Sequence, residues 1–409
     1  MKVVLATPGW PARAFANGIA SYIGNLHQGL AAEAVDPWVF AQAVAGGETE
    51  SQITDLSKFS YRPGVLRSIY NWLRPDSSNK TWTAEVSDRS AAAMIGAFHG
   101  LPDSFKPDLV EMDEAFGVAG LVAAQIKVPI VVRLHGPYFL TGPAMGADQD
   151  EAFSHRLELE REAIINSEGL TAPSMDLLQR VRQEYNVTLE HARVIPNPAP
   201  CVTAGDLWHA QPSDPNLVLF VGRFDRHKGG DLAIKAFVHL AKERPSLRLA
   251  FVGPDHNYST DDGRPLDLQG FLDETIPDAS IRSRFEFYDQ LPAAEITPLR
   301  QRAAVTLVAS RWENFPMTVL EALAHGSPLV APATGGVPEM LEHGSNGLLF
   351  EPENVQAIAS SLAQMLDSPD LAKRCGTGAL ETIRQKFSIE VVARETREYY
   401  ASLLRTHTQ

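Results

Sequence analysis

The sequence contains little cysteine, fewer basic than acidic residues, and no long apolar segment. Its 409 residues include only two cysteines, Cys201 and Cys375, which are far apart and lack the spacing of metal ligands. We therefore expect no disulfide scaffold, which is typical of a protein from a reducing compartment. The 50 acidic residues exceed the 36 basic ones and give a formal net charge of −14. A chain of this charge is not expected to bind nucleic acid, which needs a basic contact surface.

Long apolar runs are also missing. No stretch approaches about 18 consecutive apolar residues, so we expect no transmembrane helix. The opening MKVVLATPGW has one lysine and a short apolar run that ends at Pro8–Gly9, so no signal peptide is expected. The run KVVLA instead predicts a buried parallel strand. These features predict a cytoplasmic protein, and its length predicts two or three domains.

Strands and helices alternate along the chain in two series, separated by the proline-bearing connection that follows residue 196. Such alternation predicts two doubly wound α/β domains facing each other across a cleft, with ligands at the carboxyl ends of the strands. The first series has apolar strand patterns at 2–6, 107–112, 128–136, 169–174 and 192–197. The second has them at 217–222, 247–253, 284–289, 304–310, 327–333 and 346–351.

A candidate phosphate site lies in VGRFDRHKGGDL. Arg223 and Lys228 follow a predicted strand, and Gly229–Gly230 begin a helix. Two cations beside a helix N-terminus can bind phosphate through their charge and through free N–H groups. The alternative is that both cations only solvate the loop, and the motif alone does not decide between the two.

The stretch ENFPMTVLE holds two carboxylates, Glu313 and Glu321. Pro316 suits the first helical position, after which the N–H groups of Met317 and Thr318 are free for an anion. Glu321 lies about 7–8 Å further along the helix axis than Pro316, so the two acids do not share one proton. We expect them to contact different ends of one elongated polar ligand. The alternative, a surface position for Glu321, is disfavoured because its helix is almost wholly apolar and a buried acid needs a partner.

Two weaker signals lie in the first series. Asn17–Gly18 introduce a helix after the first strand and its loop, and Gly18 would let another backbone or a phosphate approach closely. A single histidine is more often structural than catalytic, but His135 stands at the carboxyl end of an apolar strand, and this position strengthens the case for a functional role.

These blocks together resemble the retaining GT-B glycosyltransferases of family GT4. GRFDRHKG, ENFPMTVLEALAHGSPLVAPATGGVPEML and NGLLFEPEN resemble its C-terminal domain, and NGIASY, VVRLHG, GLTAPS and VIPNP resemble its N-terminal acceptor domain. The resemblance implies an N-terminal acceptor-binding domain at 1–196 and a donor-binding domain at 197–387. It also implies a final helix, 388–409, that crosses back to the first domain.

The resemblance implies a role for each candidate residue. Arg223 and Lys228 would bind the diphosphate of a nucleoside-diphosphate sugar, Glu313 the hydroxyls of the transferred sugar, and Glu321 those of the ribose. His135 would lie near the transferred sugar and join Arg223, Lys228 and Glu313 as catalytic residues. Further donor contacts would come from Gly18, from Asn314, Phe315, Met317 and Thr318, and from the backbone near Leu291.

Two departures from the family pattern are present. Pro316 stands where the family often has glycine, so any N–H contact there shifts to Met317 or Thr318; of the usual paired glycines of the first loop, only Gly18 remains. The resemblance implies transfer with retention and without a metal or a cofactor. Asp148–Gln149–Asp150 has the look of a metal motif but is interpreted as surface acid. The alternatives are a nucleotide-sugar epimerase of the same fold and a non-catalytic partner that binds sugar nucleotides.

A basic, aromatic segment at 58–82 stands out in this acidic chain. It carries five cations and an apolar stripe at helical spacing, a combination that can place a helix on an anionic membrane. Peripheral membrane contact would suit a lipid-linked acceptor, although packing of the stripe on the first domain is the favoured alternative. The acceptor is otherwise expected to be a glycan or a small molecule, within bacterial polysaccharide or glycoconjugate synthesis.

Overall fold

The chain divides into two units, Met1–Pro196 with Val392–Gln409, and Asn197–Val391. None of the described helices is long and apolar enough to cross a membrane. Most of the basic segment 58–82 lies outside the described residues, so the membrane hypothesis stays a prediction. The computed structural model describes residues 1–15, 17–46, 51–59, 79–144, 146–210, 212, 214–260 and 263–407.

The first unit is built on a seven-stranded, entirely parallel sheet in the order β3-β2-β1-β4-β5-β6-β7. Its strands are β1 (Lys2–Trp10), β2 (Asp36–Val44), β3 (Ile53–Asp55), β4 (Leu109–Asp113), β5 (Ile130–Arg133), β6 (Gly169–Ala172) and β7 (Ala192–Val194). Its helices are α1 (Gly18–Ala32), α2 (Asn79–His99), α3 (Val118–Ala123), α4 (Tyr138–Ala144), α5 (Glu151–Ile165) and α6 (Met175–Tyr185).

Three features of this sheet differ from the sequence prediction. Strands β2 and β3 were not predicted, because the first ends in exposed residues and the second is three residues long. Strand β1 runs on through Pro8 to Trp10, whereas the pattern predicted an end at Ala6. Proline is tolerated there because β4 pairs with β1 only at Val3–Leu5, so that beyond this point β1 has β2 alone as a neighbour.

The helix predicted over FGVAGLVAAQI is shorter than expected. The preceding residues Phe116 and Gly117 both have positive φ, 57° and 65°, and α-helical hydrogen bonding cannot pass through such a backbone. Helix α3 therefore covers only Val118–Ala123.

The last helix, α15 (Ile389–His407), contributes residues to the core of the first unit. Tyr400 donates a hydrogen bond to Oε2 of the buried Glu111 (2.5 Å), and Tyr22 donates to Oε1 (2.9 Å). Tyr399 accepts one from the backbone N–H of Leu170 in β6 (2.8 Å). Buried hydroxyl groups with partners of this kind fix the helix on the sheet more specifically than apolar contacts do.

The second unit has a six-stranded parallel sheet in the order β12-β9-β8-β13-β14-β15, and all six predicted strands are confirmed. Its strands are β8 (Asp214–Val221), β9 (Arg248–Val252), the hairpin pair β10 (Tyr258–Ser259) and β11 (Pro265–Leu266), β12 (Phe285–Tyr288), β13 (Ala303–Leu307), β14 (Leu329–Pro332) and β15 (Leu348–Phe350). Its helices are α7 (Gly230–Ala241), α8 (Leu268–Thr275), α9 (Ala279–Arg282), α10 (Ala293–Arg302), α11 (Met317–Ala324), α12 (Val337–Met340), α13 (Val355–Asp367) and α14 (Pro369–Thr382).

Candidate active site

The two central strands of the second sheet bring the candidate motifs together. Strands β8 and β13 are neighbours in register, with Phe220 opposite Leu307. The two strands run parallel to each other, so the loops that follow them lie at the same edge of the sheet. The first loop carries Arg223 and Lys228, and the second carries Glu313.

Lys228 and Glu313 form a direct ion pair at this edge. Nζ of Lys228 lies 2.5 Å from Oε1 of Glu313, and the Ser310 hydroxyl donates to the same oxygen at 2.8 Å. Glu313 is only 8% exposed. Burial alone would raise the pKa of Glu313, but the charges of Lys228 and His227 and the hydrogen bonds hold it below its usual value. Glu313 is therefore ionised at neutral pH, and Lys228 supplies the counter-charge.

Arg223 has a different partner in the same loop. Its Nε donates to Oδ2 of Asp225 (2.7 Å), while the backbone N–H of Lys228 donates to Oδ1 (2.6 Å). Asp225 thus closes the turn that presents both cations. Nearly half of the Arg223 side chain (44%) is exposed, so its remaining guanidinium donors are open to an anion.

Gly229 allows the cationic loop to pack against the neighbouring strand. It caps α7 with φ of +69°, and a side chain there would place Cβ 1.9 Å from the carbonyl oxygen of Ala309. No other residue type fits both the backbone and the space. The prediction that the Gly229–Gly230 pair begins a helix is confirmed.

The segment after Glu313 differs in detail from the prediction. Pro316 has φ of −70° and ψ of 129° and caps α11, so that Met317, rather than Pro316, is the first helical residue. Proline's fixed φ suits this extended cap as well as it suits the first helical position. The N–H groups of Met317 and Thr318 lie in the first turn, where no preceding helical carbonyl can accept them.

Two predicted donor residues, Phe315 and Leu291, pack their side chains within the second unit. The Phe315 side chain is 6% exposed and packs edge-on against Phe387, with ring centroids 5.5 Å apart. Its carbonyl accepts a hydrogen bond from the side chain of Asn197 (3.2 Å), and Asn314 is also buried. Leu291 packs its side chain against the apolar cluster of β8, β9 and α10.

Glu321 has the partner that its apolar helix predicted. Nη2 of Arg300, a buried residue of α10, donates to Oε2 of Glu321 at 2.7 Å. Glu313 and Glu321 therefore interact with different cations, Lys228 and Arg300. This agrees with the inference that the two carboxylates do not share a proton.

In the first unit, His135 lies in the loop that follows β5. Its ring contacts that of Tyr22 on α1, with centroids 5.1 Å apart. Burial, assisted by the charge of Arg133, lowers the pKa of His135 well below its usual value, so the imidazole is neutral at pH 7.

Gly18 is the first residue of α1, and the N–H groups of the next two residues, Ile19 and Ala20, donate to Oδ1 of Asn17 (2.8 and 3.2 Å). Those two groups are already engaged.

The Asp148–Gln149–Asp150 motif is exposed, as predicted. Asp150 caps α5, where its Oδ1 accepts the N–H of Phe153 at 2.9 Å. Capping of α5 therefore accounts for the carboxylate of Asp150.

Two family models match the chain and together span most of it. One, described as "Glycosyl transferases group 1", matches residues 208–382, and the other, "Glycosyltransferase Family 4", matches residues 16–201. The chain belongs to the group 1 glycosyltransferases. This confirms the family inferred from the motifs.

Relatives and solved structures agree with this family. The glycosyltransferase is 24% identical to D-inositol 3-phosphate glycosyltransferase of Streptomyces scabiei, over 97% of this chain and 89% of that protein. Its structure is similar to sucrose-phosphate synthase from Thermosynechococcus elongatus, with a TM-score of 0.74, 20% identity and coverage of 99% and 100%. Anabaena HepE, solved in complex with UDP-glucose, has a TM-score of 0.67, 19% identity and coverage of 98% and 100%. These likenesses establish the GT-B fold and confirm the predicted fold class.

Sequence reasoning missed the pair that braces the two loops of the glycosyltransferase. Arg311, between Ser310 and Glu313, donates to both carboxylate oxygens of Asp231 on α7 (2.9 and 3.0 Å), and its backbone N–H donates to the carbonyl of His227 (3.0 Å). Asp231 is fully buried. The signal was available, because Asp231 is the only acid in a mostly apolar helix, as is Glu321.

A second missed group supports the His135 loop. Glu114 is 2% exposed and accepts the backbone N–H groups of His135 (3.0 Å) and Gly136 (2.7 Å). Burial, with the nearby charges of Asp113 and Glu160, raises the pKa of Glu114 to about 8. Its ionisation therefore opposes folding.

Replacing Glu114 with glutamine is expected to change how stability depends on pH. A raised pKa in the folded state means that the carboxyl group stabilises the fold most below its unfolded pKa, and that this contribution is lost as pH rises towards 8. Glutamine keeps an acceptor for the loop and does not ionise. Relative to wild type, Glu114→Gln should gain roughly 2–4 kcal/mol of unfolding free energy between pH 5 and pH 8, measured by urea denaturation at both values.

The matched control is Glu162→Gln, an exposed position on α5. The free energy of unfolding of Glu162→Gln should stay within about 0.5 kcal/mol of the wild-type value at both pH values. Equal pH dependence in Glu114→Gln and wild type would contradict the ionisation argument.

Proposed function

We propose that this glycosyltransferase moves a hexosyl group from a nucleoside-diphosphate sugar to an acceptor with retention of anomeric configuration and without a metal. The observation that carries the proposal is the pair of buried Glu313 and partly exposed Lys228 at the carboxyl ends of β8 and β13, beside the half-exposed Arg223. A diphosphate leaving group gains negative charge as the glycosidic bond breaks. Fixed cations and N–H groups stabilise that charge most when they are positioned in advance.

Each residue has a role in this proposal. Lys228 and Arg223 bind the diphosphate, and Glu313, held ionised, accepts hydrogen bonds from hydroxyls of the transferred sugar. The first-turn N–H groups of Met317 and Thr318 add donors near the phosphate. Glu321 accepts hydrogen bonds from the ribose.

The first unit is proposed to bind the acceptor and to bring His135 to the transferred sugar. A neutral imidazole can donate or accept one hydrogen bond without placing a second positive charge beside the reacting carbon. Gly18 is proposed to approach the diphosphate. Asn17 already accepts the amides of Ile19 and Ala20, which leaves the N–H of Gly18 itself as the donor offered by this helix start.

The donor and acceptor are proposed by chemical class. The HepE structure in complex with UDP-glucose makes UDP-sugars the first donors to test, and GDP- and ADP-sugars are the alternatives. The acceptor is proposed to be a glycan, a lipid-linked sugar or a small polyol such as a phosphorylated inositol, the acceptor in the name of the Streptomyces relative. We place the reaction in the cytoplasm, with residues 58–82 giving peripheral membrane contact when the acceptor is lipid-linked.

A thermal-shift screen of the purified full chain against UDP, GDP and ADP tests the donor site. Ligand at about 100 times its Kd stabilises the folded state by about 2.7 kcal/mol, so one nucleotide should raise Tm clearly above the other two. Transfer from the matching sugar nucleotide should persist in EDTA, and the product's anomeric proton should show the donor's configuration by NMR. Loss of transfer in EDTA, or an inverted product, would contradict the mechanism.

Binding without transfer or hydrolysis of any donor would instead indicate the non-catalytic alternative. Release of a free epimerised sugar would indicate the epimerase.

Co-sedimentation with liposomes of anionic and of neutral lipid tests the segment 58–82. Absence of binding to anionic liposomes at low salt would remove the membrane proposal.

A further inference from the structure

Arg300 is a buried cation whose surroundings do not suit a purely structural role. It lies on α10, is 2% exposed, and donates through Nη2 to Oε2 of Glu321. Its Nη1 is also buried and has no hydrogen-bond partner among the residues that the structure describes. A buried charge with an unsatisfied donor is costly, and an apolar side chain of similar volume would often stabilise the fold more.

The contrast with Arg311 shows how a structural pair is built in this protein. Arg311 forms two hydrogen bonds with Asp231, whose side chain has no exposed surface. Arg300 forms one with Glu321, whose side chain is 31% exposed. The buried guanidinium of Arg300 therefore contacts a carboxylate that is partly exposed to solvent. Such an arrangement suits a cation that positions a ligand-binding residue.

The backbone of Glu321 is tied to the same helix. The imidazole of His325 lies with Nδ1 2.7 Å from the carbonyl oxygen of Glu321 and with Nε2 3.2 Å from the hydroxyl of Thr297 on α10. Helix α10 thus fixes Glu321 at two points, the carboxylate through Arg300 and the main chain through His325. Positioning to this degree suits a residue that must match a defined pair of ligand atoms.

We propose that Arg300 is a positioning residue that makes Glu321 selective for a sugar with two adjacent hydroxyl groups, and so for ribonucleotide over 2′-deoxyribonucleotide donors. The inference rests on the proposed function, in which Glu321 binds the ribose. Arg300 donates a hydrogen bond to one carboxylate oxygen of Glu321 and so fixes the orientation of the carboxylate. The other oxygen then faces the second hydroxyl, and a ligand that lacks this hydroxyl leaves a charged acceptor unsatisfied.

Calorimetric titration of the full chain tests this selectivity. UDP, GDP and ADP are titrated first, and the tightest of them is then compared with its 2′-deoxy analogue. Wild type should prefer the ribonucleotide by about 10-fold or more, the discrimination expected from one hydrogen bond to a charged group. In Arg300→Met the affinity for the ribonucleotide should fall about 10-fold and that for the deoxy analogue less than about 3-fold, which lowers the preference at least about 3-fold.

Three further variants separate positioning from general damage. Arg302→Met, on the same helix and paired with Glu286 instead, should retain the wild-type preference. Glu321→Gln should lose the preference, and adding Arg300→Met to it should change the ratio no further, because the two residues act as one unit. A merely structural Arg300 would weaken both ligands equally in Arg300→Met and leave the ratio at its wild-type value, which would overturn the inference.

The failure of the inference is distinguishable from that of the proposed function. If wild type binds none of the three nucleotides, the proposed donor site is wrong and the inference falls with it. If wild type discriminates and Arg300→Met discriminates equally well, only the inference fails. Should Arg300→Met not fold, Arg300→Lys replaces it. Lysine keeps the charge but not the forked geometry, so its preference should be at least about 3-fold weaker than wild type, and an unchanged preference overturns the inference.

Discussion

Replacing Lys228 with alanine is expected to lower kcat/KM for sugar transfer by about 10³-fold, the upper range for loss of one preorganised electrostatic group. The variant removes one of the two cations that are proposed to bind the leaving diphosphate. It also leaves Glu313, 8% exposed, without the ammonium that lies 2.5 Å from its Oε1. Initial rates with the donor identified by the nucleotide screen provide the measurement, and far-UV circular dichroism should match wild type.

Comparison variants make this result specific. Lys242→Ala removes an exposed lysine just after α7 and should leave turnover unchanged. Glu313→Gln should lose activity to a similar degree, and the double variant should be little worse than either single one, since the pair acts as a unit. Near-normal turnover in purified Lys228→Ala would rule out the proposed catalytic site.

Replacing Arg311 with alanine is expected to lower the free energy of unfolding of the second unit by about 3–5 kcal/mol, the cost of breaking a buried ion pair from one side. Asp231, which has no exposed surface, would lose both guanidinium hydrogen bonds. Lys235 lies 3.5 Å from the same carboxylate but is 40% exposed, so it offsets only part of the loss. Urea denaturation followed by circular dichroism measures the change.

Two controls test the cause. Glu353→Ala removes the other, 55% exposed partner of Arg311 and should cost less than about 1 kcal/mol, as surface ion pairs do. The double variant Arg311→Met with Asp231→Leu should recover much of the stability, because no unpaired charge remains buried. A double variant as unstable as Arg311→Ala would mean that the pair does more than neutralise Asp231.

Periodicity predicted most of the strands that are apolar on both faces. In the second sheet β14 is an unbroken apolar run between turn residues, whereas β12 was predicted although it carries Glu286 and is mostly part-exposed. Strand β2 begins with Asp36–Pro37 and has exposed residues near its end, so its pairing with β1 is recognisable only once β1 is in place. The same holds for β1 beyond Ala6, where the partner strand outweighs the unfavourable Pro8.

At the site, the sequence identified the charged residues but not their pairing. The motifs pointed to Lys228, Glu313 and Glu321, and the apolar surroundings of Glu321 predicted a partner without revealing which. Arg300 lies 21 positions away and is one of 36 basic residues, so only the packing of α10 on α11 selects it. Glu114 was missed because its role is to accept backbone N–H groups, and these leave no pattern in side-chain spacing.

The sequence by itself determined most of the alternation of strands and helices, the helix start at Gly229–Gly230, and the family to which the chain belongs. Those features are local, because propensity, capping and apolar period act over a few residues. The tertiary structure alone decided that Lys228 faces Glu313, that Arg311 is joined to Asp231, and that Arg300 holds Glu321. These pairs join residues 21 to 85 positions apart, and the order of strands in a parallel sheet, rather than any nearby sequence, determines which loops meet.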